Sequence, residues 1–210
     1  MIQIFGARLS VLQDSEKLRS SLPYQWRAAW SEAHPHAKGE AERLSLGGLY
    51  LLHALGAEGE LVYENGKPRL DGSEIKFSIS HTREAVFCAV LKNAEAPEIG
   101  LDVELLHRTE HTDTERLARR WFSPLEQEAL KKEGSAAAFL EIWTRKEATV
   151  KRSGIGLSGL RAADTVRLQE TGRLFYQTLR QDEFLISVCC EQHAQATFSW
   201  VGTLNKSYLQ

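Results

Sequence analysis

The chain has 210 residues, 42% of them hydrophobic and 26% charged, with a formal net charge of −2. This is enough apolar mass for one large core or two small ones, and the near-neutral balance argues against a general nucleic-acid binder, which carries a basic excess. No stretch reaches the ~18 unbroken apolar residues of a membrane helix, and the start MIQIFGARLS lacks the basic lead and apolar run of a signal peptide, so a cytoplasmic protein without membrane attachment is expected.

In chain order, IQIF reads as a first strand. Pro23 can open a helix around YQWRAAW, and GEAERLSLGGLYLLHAL spaces its apolar residues by three and four up to Gly56, predicting a second. NGKPRL at 65–70 reads as a turn, followed by strands at FSIS (77–80), AVFCAVL (85–91) and IGLDVEL (99–105). Helices are predicted over 112–121, over SPLEQEALKKEG, where Ser123, Pro124 and Glu126 fit a capping box, and over AAAFLEIWTRKEATVKRSG to about Gly154. From Ala162 onward the pattern predicts strands at TVRLQE, RLFYQTL, FLISVCCE and ATFSWVG. Helices followed by strands in both halves predict an α+β protein of two similar subdomains, residues 1–95 and 98–210, each a small antiparallel sheet packed with helices and joined by NAEAPE at 93–98. Cys88, Cys189 and Cys190 lie in apolar runs without metal or disulfide spacing and read as reduced core residues.

Asp102 and Glu104 are two apart in a strand, so their side chains share a face, with Leu101 and Val103 on the other. Side-by-side carboxylates repel, and unless they lie on open solvent they call for a cation, for which hard oxygen ligands suit Mg²⁺. A solvated strand face is the alternative for a bare D-x-E. Glu147 and Lys151 stand one helical turn apart, either as a surface pair or as a base beside a phosphate-contacting cation. Ser80 and His81 are neighbours in an extended segment, so they point to opposite faces. No G-x-S-x-G elbow is present either, which disfavours hydrolase chemistry and leaves phosphate binding as the better reading.

GKP (66–68), FSISH (77–81), IGLDVE (99–104), WFSPLE (121–126) and WTRKEATVK (143–151), in this order and spacing, resemble the 4′-phosphopantetheinyl transferase superfamily, in particular its surfactin-synthetase-activating type. The resemblance covers about residues 43–157. It implies a monomer with pseudo-twofold symmetry that binds coenzyme A at the interface of its halves. Mg²⁺ would sit on the pyrophosphate while the phosphopantetheine arm moves to a serine of an apo acyl or peptidyl carrier protein. Matched by motif, Asp102 and Glu104 would be metal ligands and Glu126 a third, in competition with its capping role. Glu147 would be the general base, and Lys151 would contact the phosphates. Ser80 and His81 would touch the pyrophosphate and 3′-phosphate region, Lys67 the nucleotide and Arg43 the 3′-phosphate. The segment LPYQWRAAWSEAHPHAK departs from the family pattern; its Arg27, His34, His36 and Lys38 have no clear register, and the histidines also read as plain surface residues. The rival functions are a non-catalytic module that binds coenzyme A and carrier proteins, and a Mg²⁺-dependent phosphohydrolase.

Overall fold

In the computed structural model, residues 1–64, 66–92 and 97–202 are described, the side chains of His111 and Leu157 excepted. Asn65 of the expected turn and residues 93–96 of the expected joining segment lie outside them. The chain divides into two compact units, Met1–Ala96 with Ala196–Gln210, and Pro97–Gln195.

The first unit contains strand β1 (Ile2–Arg8), helices α1 (Ser15–Ser21), α2 (Tyr24–Ala33) and α3 (Gly39–Ala54), and strands β2 (Glu60–Glu64), β3 (Lys67–Asp71), β4 (Ile75–His81) and β5 (Ala85–Lys92). Its main sheet has the order β4-β5-β1-β9, the last strand being Ala196–Trp200 from the end of the chain. Helix α3 lies on this sheet at two glycines, because a Cβ on Gly47 would come within 3.2 Å of Val86 on β5 and one on Gly48 within 2.7 Å of Ile79 on β4. Trp26 and Trp30 of α2 are buried in the same core, and each indole N–H has an acceptor, Gly59 O at 2.9 Å and Ser45 Oγ at 2.9 Å.

The second unit contains β6 (Gly100–Leu105), a 3₁₀ turn (Leu106–His111), α4 (Thr114–Trp121), α5 (Pro124–Glu133), α6 (Ala136–Ser153), α7 (Thr165–Glu170), β7 (Phe175–Gln181) and β8 (Phe184–Cys190). Its antiparallel sheet has the order β6-β8-β7 and is covered by α6. The predicted capping box is present, with Ser123 Oγ accepting from Glu126 N–H at 3.2 Å and Glu126 Oε2 accepting from Ser123 N–H at 2.8 Å. Helix α6 ends at Gly154, whose φ of 69° is the left-handed geometry that glycine adopts most readily. The mixed α+β architecture matches the expected class.

Three expectations are corrected. The expected C-terminal subdomain 98–210 yields its last strand to the first unit, where β9 runs parallel to β1 with Ile4 opposite Phe198. That register lets Trp200 and Phe198 pack on Phe87 and on each other, and apolar burial outweighs the proximity in sequence that would keep β9 beside β8. TVRLQE is helix α7 and not a strand, since Asp164 accepts from Arg167 N–H and caps the turn, overriding the β-branched Thr165 and Val166. Lys67–Leu70, expected within the turn NGKPRL, belong to strand β3, which pairs with β2, a strand the sequence pattern left unassigned. A two-stranded sheet has only edge strands, where the missing N–H of Pro68 is tolerated.

Candidate active site

The predicted site residues fall on both units. In the first, Arg43 lies half-buried on α3, Lys67 at the start of β3, and Ser80 and His81 at the end of β4, Ser80 buried and His81 exposed as their alternation requires.

In the second unit, β6 and α6 meet at Gly100, where a Cβ would stand 1.9 Å from the Ala148 carbonyl oxygen. Only glycine lets helix and strand approach this closely. Pleating then carries Asp102 and Glu104 onto the same α6-facing side as Gly100, confirming their shared face. Asp102 is buried and its Oδ1 accepts from Lys151 Nζ at 2.6 Å; Glu104 is ion-paired with Arg108 four residues on. Arg108 stands 5.7 Å over the Trp143 ring. Opposite Asp102 in the ladder is Ser187, whose hydroxyl is 2.7 Å from Thr144 Oγ1 on α6 and 3.1 Å from Thr178 Oγ1 on β7. This buried polar row fixes the helix against the sheet on the line that holds Asp102.

Glu147, one turn before Lys151, is half-buried. Burial holds its carboxyl above the ordinary glutamate range and the Asp102 carboxylate pushes the same way, while Lys151 and Arg108 oppose without cancelling them. A carboxylate with raised proton affinity beside a lysine is suited to take a proton from a hydroxyl while the cation faces an anion.

Glu126 does not join this group. Its side chain is fully buried; Oε2 accepts from Ser123 N–H and from Lys146 Nζ at 2.7 Å, and Oε1 accepts from Thr165 N–H and Oγ1, both at 2.8 Å. With two donors on each oxygen, the lone pairs a metal would need are engaged. The capping role wins over the role of third ligand. Lys146, also fully buried, donates in addition to the Ala163 carbonyl, so one ion pair ties α5, α6 and the start of α7 together. Sequence reasoning missed Lys146, which carried no signal beyond its place beside Glu147. It missed Arg108 too, although the four-residue spacing from Glu104 was available.

Among the described residues no group of three or more His, Cys, Asp or Glu side chains is arranged to hold a metal ion. Asp102 and Glu104 are two hard carboxylates on one face, the donor type a divalent ion takes, and in this structure Lys151 and Arg108 hold the places such an ion would compete for. The three cysteines are buried and unbridged, and burial pushes the Cys189 thiol up to about 12, so none is a ready nucleophile.

Residues 98–204, just over half the chain, match the family described as the 4′-phosphopantetheinyl transferase superfamily. The chain belongs to that superfamily. It is 34% identical over 150 residues to the 4′-phosphopantetheinyl transferase HetI of Nostoc sp., an alignment covering 66% of this chain and 61% of the relative. It is 38% identical over 113 residues to AcpT of Salmonella typhi, covering 51% and 56%, and 29% identical over 191 residues to psf-1 of Bacillus pumilus, covering 82% and 77%. The chain thus spans about three-fifths of the length of the first two of these phosphopantetheinyl transferases.

Proposed function

We propose that this protein transfers the 4′-phosphopantetheine arm of coenzyme A to a serine hydroxyl of an apo acyl or peptidyl carrier protein, releasing adenosine 3′,5′-bisphosphate. The observation that carries the reading is Glu147, a carboxyl of raised proton affinity one turn from Lys151 and electrostatically coupled to Asp102. A serine hydroxyl is a weak nucleophile, and Glu147 takes its proton as oxygen attacks the β-phosphorus; the bond from that phosphorus to the bridging oxygen breaks, and the adenosine bisphosphate leaves with that oxygen.

Lys151 meets the negative charge on the transferring phosphoryl group. Asp102 and Glu104 would hold Mg²⁺, which when bound neutralises charge on the pyrophosphate. On the first unit, Arg43, Lys67, Ser80 and His81 are assigned to the nucleotide and phosphate groups of coenzyme A. The reading includes a monomer acting in the cytoplasm, supported by the resemblance of its motifs and compatible with the absence, among the described residues, of any helix long and apolar enough to cross a membrane.

Incubation with coenzyme A, Mg²⁺ and a panel of apo carrier proteins tests the proposal by intact-protein mass spectrometry. The expected result is a mass gain of one phosphopantetheine arm on the carrier serine. Coenzyme A binding without any gain on any carrier would refute it.

A further inference from the structure

The second unit has a cavity of about 590 Å³ that the proposed transfer reaction does not use. Its lining includes Arg161 in the loop before α7, Arg167 on α7 and Arg173 in the turn before β7, all three exposed, together with Ser123 and Asp164. Among the described residues none of the three arginines forms an ion pair, whereas Arg119, Arg145 and Arg152 of the same unit are paired with Glu115, Glu141 and Glu191. Asp164 offsets one of the three charges, and the lining keeps a positive excess; its Oδ1 accepts from the Arg167 backbone N–H at the cap of α7. Three arginines lining one depression give it a positive potential that favours an anion there.

The walls are preorganised. Thr165, next to Asp164, is held by Glu126 through both its N–H and its hydroxyl, and the Ala163 carbonyl accepts from Lys146. Ser123 forms the N-cap of α5, accepting from Glu126 N–H, which leaves its hydroxyl proton to donate. A rigid floor lowers the ordering cost of binding. Guanidinium forks match phosphate oxygens in bidentate geometry, and the volume admits more than one phosphate-sized group. The lining holds no histidine, cysteine or glutamate, and its carboxylate, Asp164, is engaged in capping α7, so the cavity is suited to binding more than to chemistry.

We infer that the cavity framed by Arg161, Arg167 and Arg173 is a second anion site, taking a compact ligand of the diphosphate or phosphorylated-metabolite class, separate from the group around Glu147. The test is thermal unfolding of the full chain, without Mg²⁺ and at fixed ionic strength, titrated with inorganic pyrophosphate. The wild type and Lys151→Ala are expected to rise in Tm with concentration. The variant Arg161→Ala/Arg167→Ala/Arg173→Ala, which loses no ion pair and so retains its fold, is expected to bind ~10-fold or more weakly and lose the shift. Isothermal titration calorimetry checks the same ranking apart from stability. No shift in the wild type, or an equal shift in the triple variant, overturns the inference. So does binding of a glutamate-rich peptide where pyrophosphate has no effect, which would make the depression a protein-docking face.

Discussion

Helix α6 carries two acid–base groups at successive positions, and they differ in almost every physical respect. Lys146 and its partner Glu126 are both fully buried, and every oxygen of the carboxylate is satisfied. Glu147, one residue on, is half-exposed, crowded by the Asp102 carboxylate and only partly offset by Lys151 and Arg108. A charge in a complete hydrogen-bond shell has nothing left to offer a ligand, while a charge in an incomplete one is kept reactive at some expense of stability. Successive residues on a helix point about 100° apart, which allows one segment to serve as both structural tie and reactive group.

The largest effect should come from breaking the sealed pair. Glu126→Ala or Lys146→Met leaves a charged partner buried without its counterion, and denaturant unfolding should show a loss of ~3–5 kcal/mol. A loss below ~1 kcal/mol, the scale of a surface pair, would dissolve the distinction between the two groups.

Next come Asp102→Asn and Lys151→Ala. Each should lower carrier-protein modification by ~10²-fold or more, the scale for removing one preorganised charge contact. Their effect on Tm should be much smaller than that of Glu126→Ala, and an unchanged transfer rate would remove these residues from the active group.

The smallest and most diagnostic effect concerns Glu147→Gln. The folded-state proton affinity of Glu147 is raised, so its carboxyl favours folding while protonated, and that contribution is lost as pH rises through the raised value. The variant should lose transfer activity when assayed with Mg²⁺, and in the absence of metal it should be slightly more stable than the wild type at neutral pH, with the difference shrinking toward mildly acid pH. Equal or lower stability of the variant across that range would show that Glu147 is accommodated like any surface glutamate.

Much of this was legible in one dimension. The capping box at Ser123–Glu126, the glycine end of α6 and the shared face of Asp102 and Glu104 depend on residues at most a few positions apart, and local stereochemistry decides them. The ordered motifs from Gly66 to Lys151 were enough to indicate the superfamily. The strand Ala196–Trp200 could be recognised as a strand, but not that it would leave its neighbours to pair with β1, because that depends on aromatic packing with Phe87 from a segment more than 100 residues earlier. Capping by Asp164 turned TVRLQE into a helix against its β-branched residues, and its tie to Glu126 comes from a residue 39 positions away.

The same separation decided Glu126. Its sequence position allows a metal ligand or a cap, and only the tertiary structure, by bringing Lys146 and Thr165 to its two oxygens, fills the shell that a metal would need. Sequence by itself determined which residue types were available and which faces they share. The fold decided which charges are satisfied and which stay reactive, because solvation and counterions are set by neighbours distant in the chain.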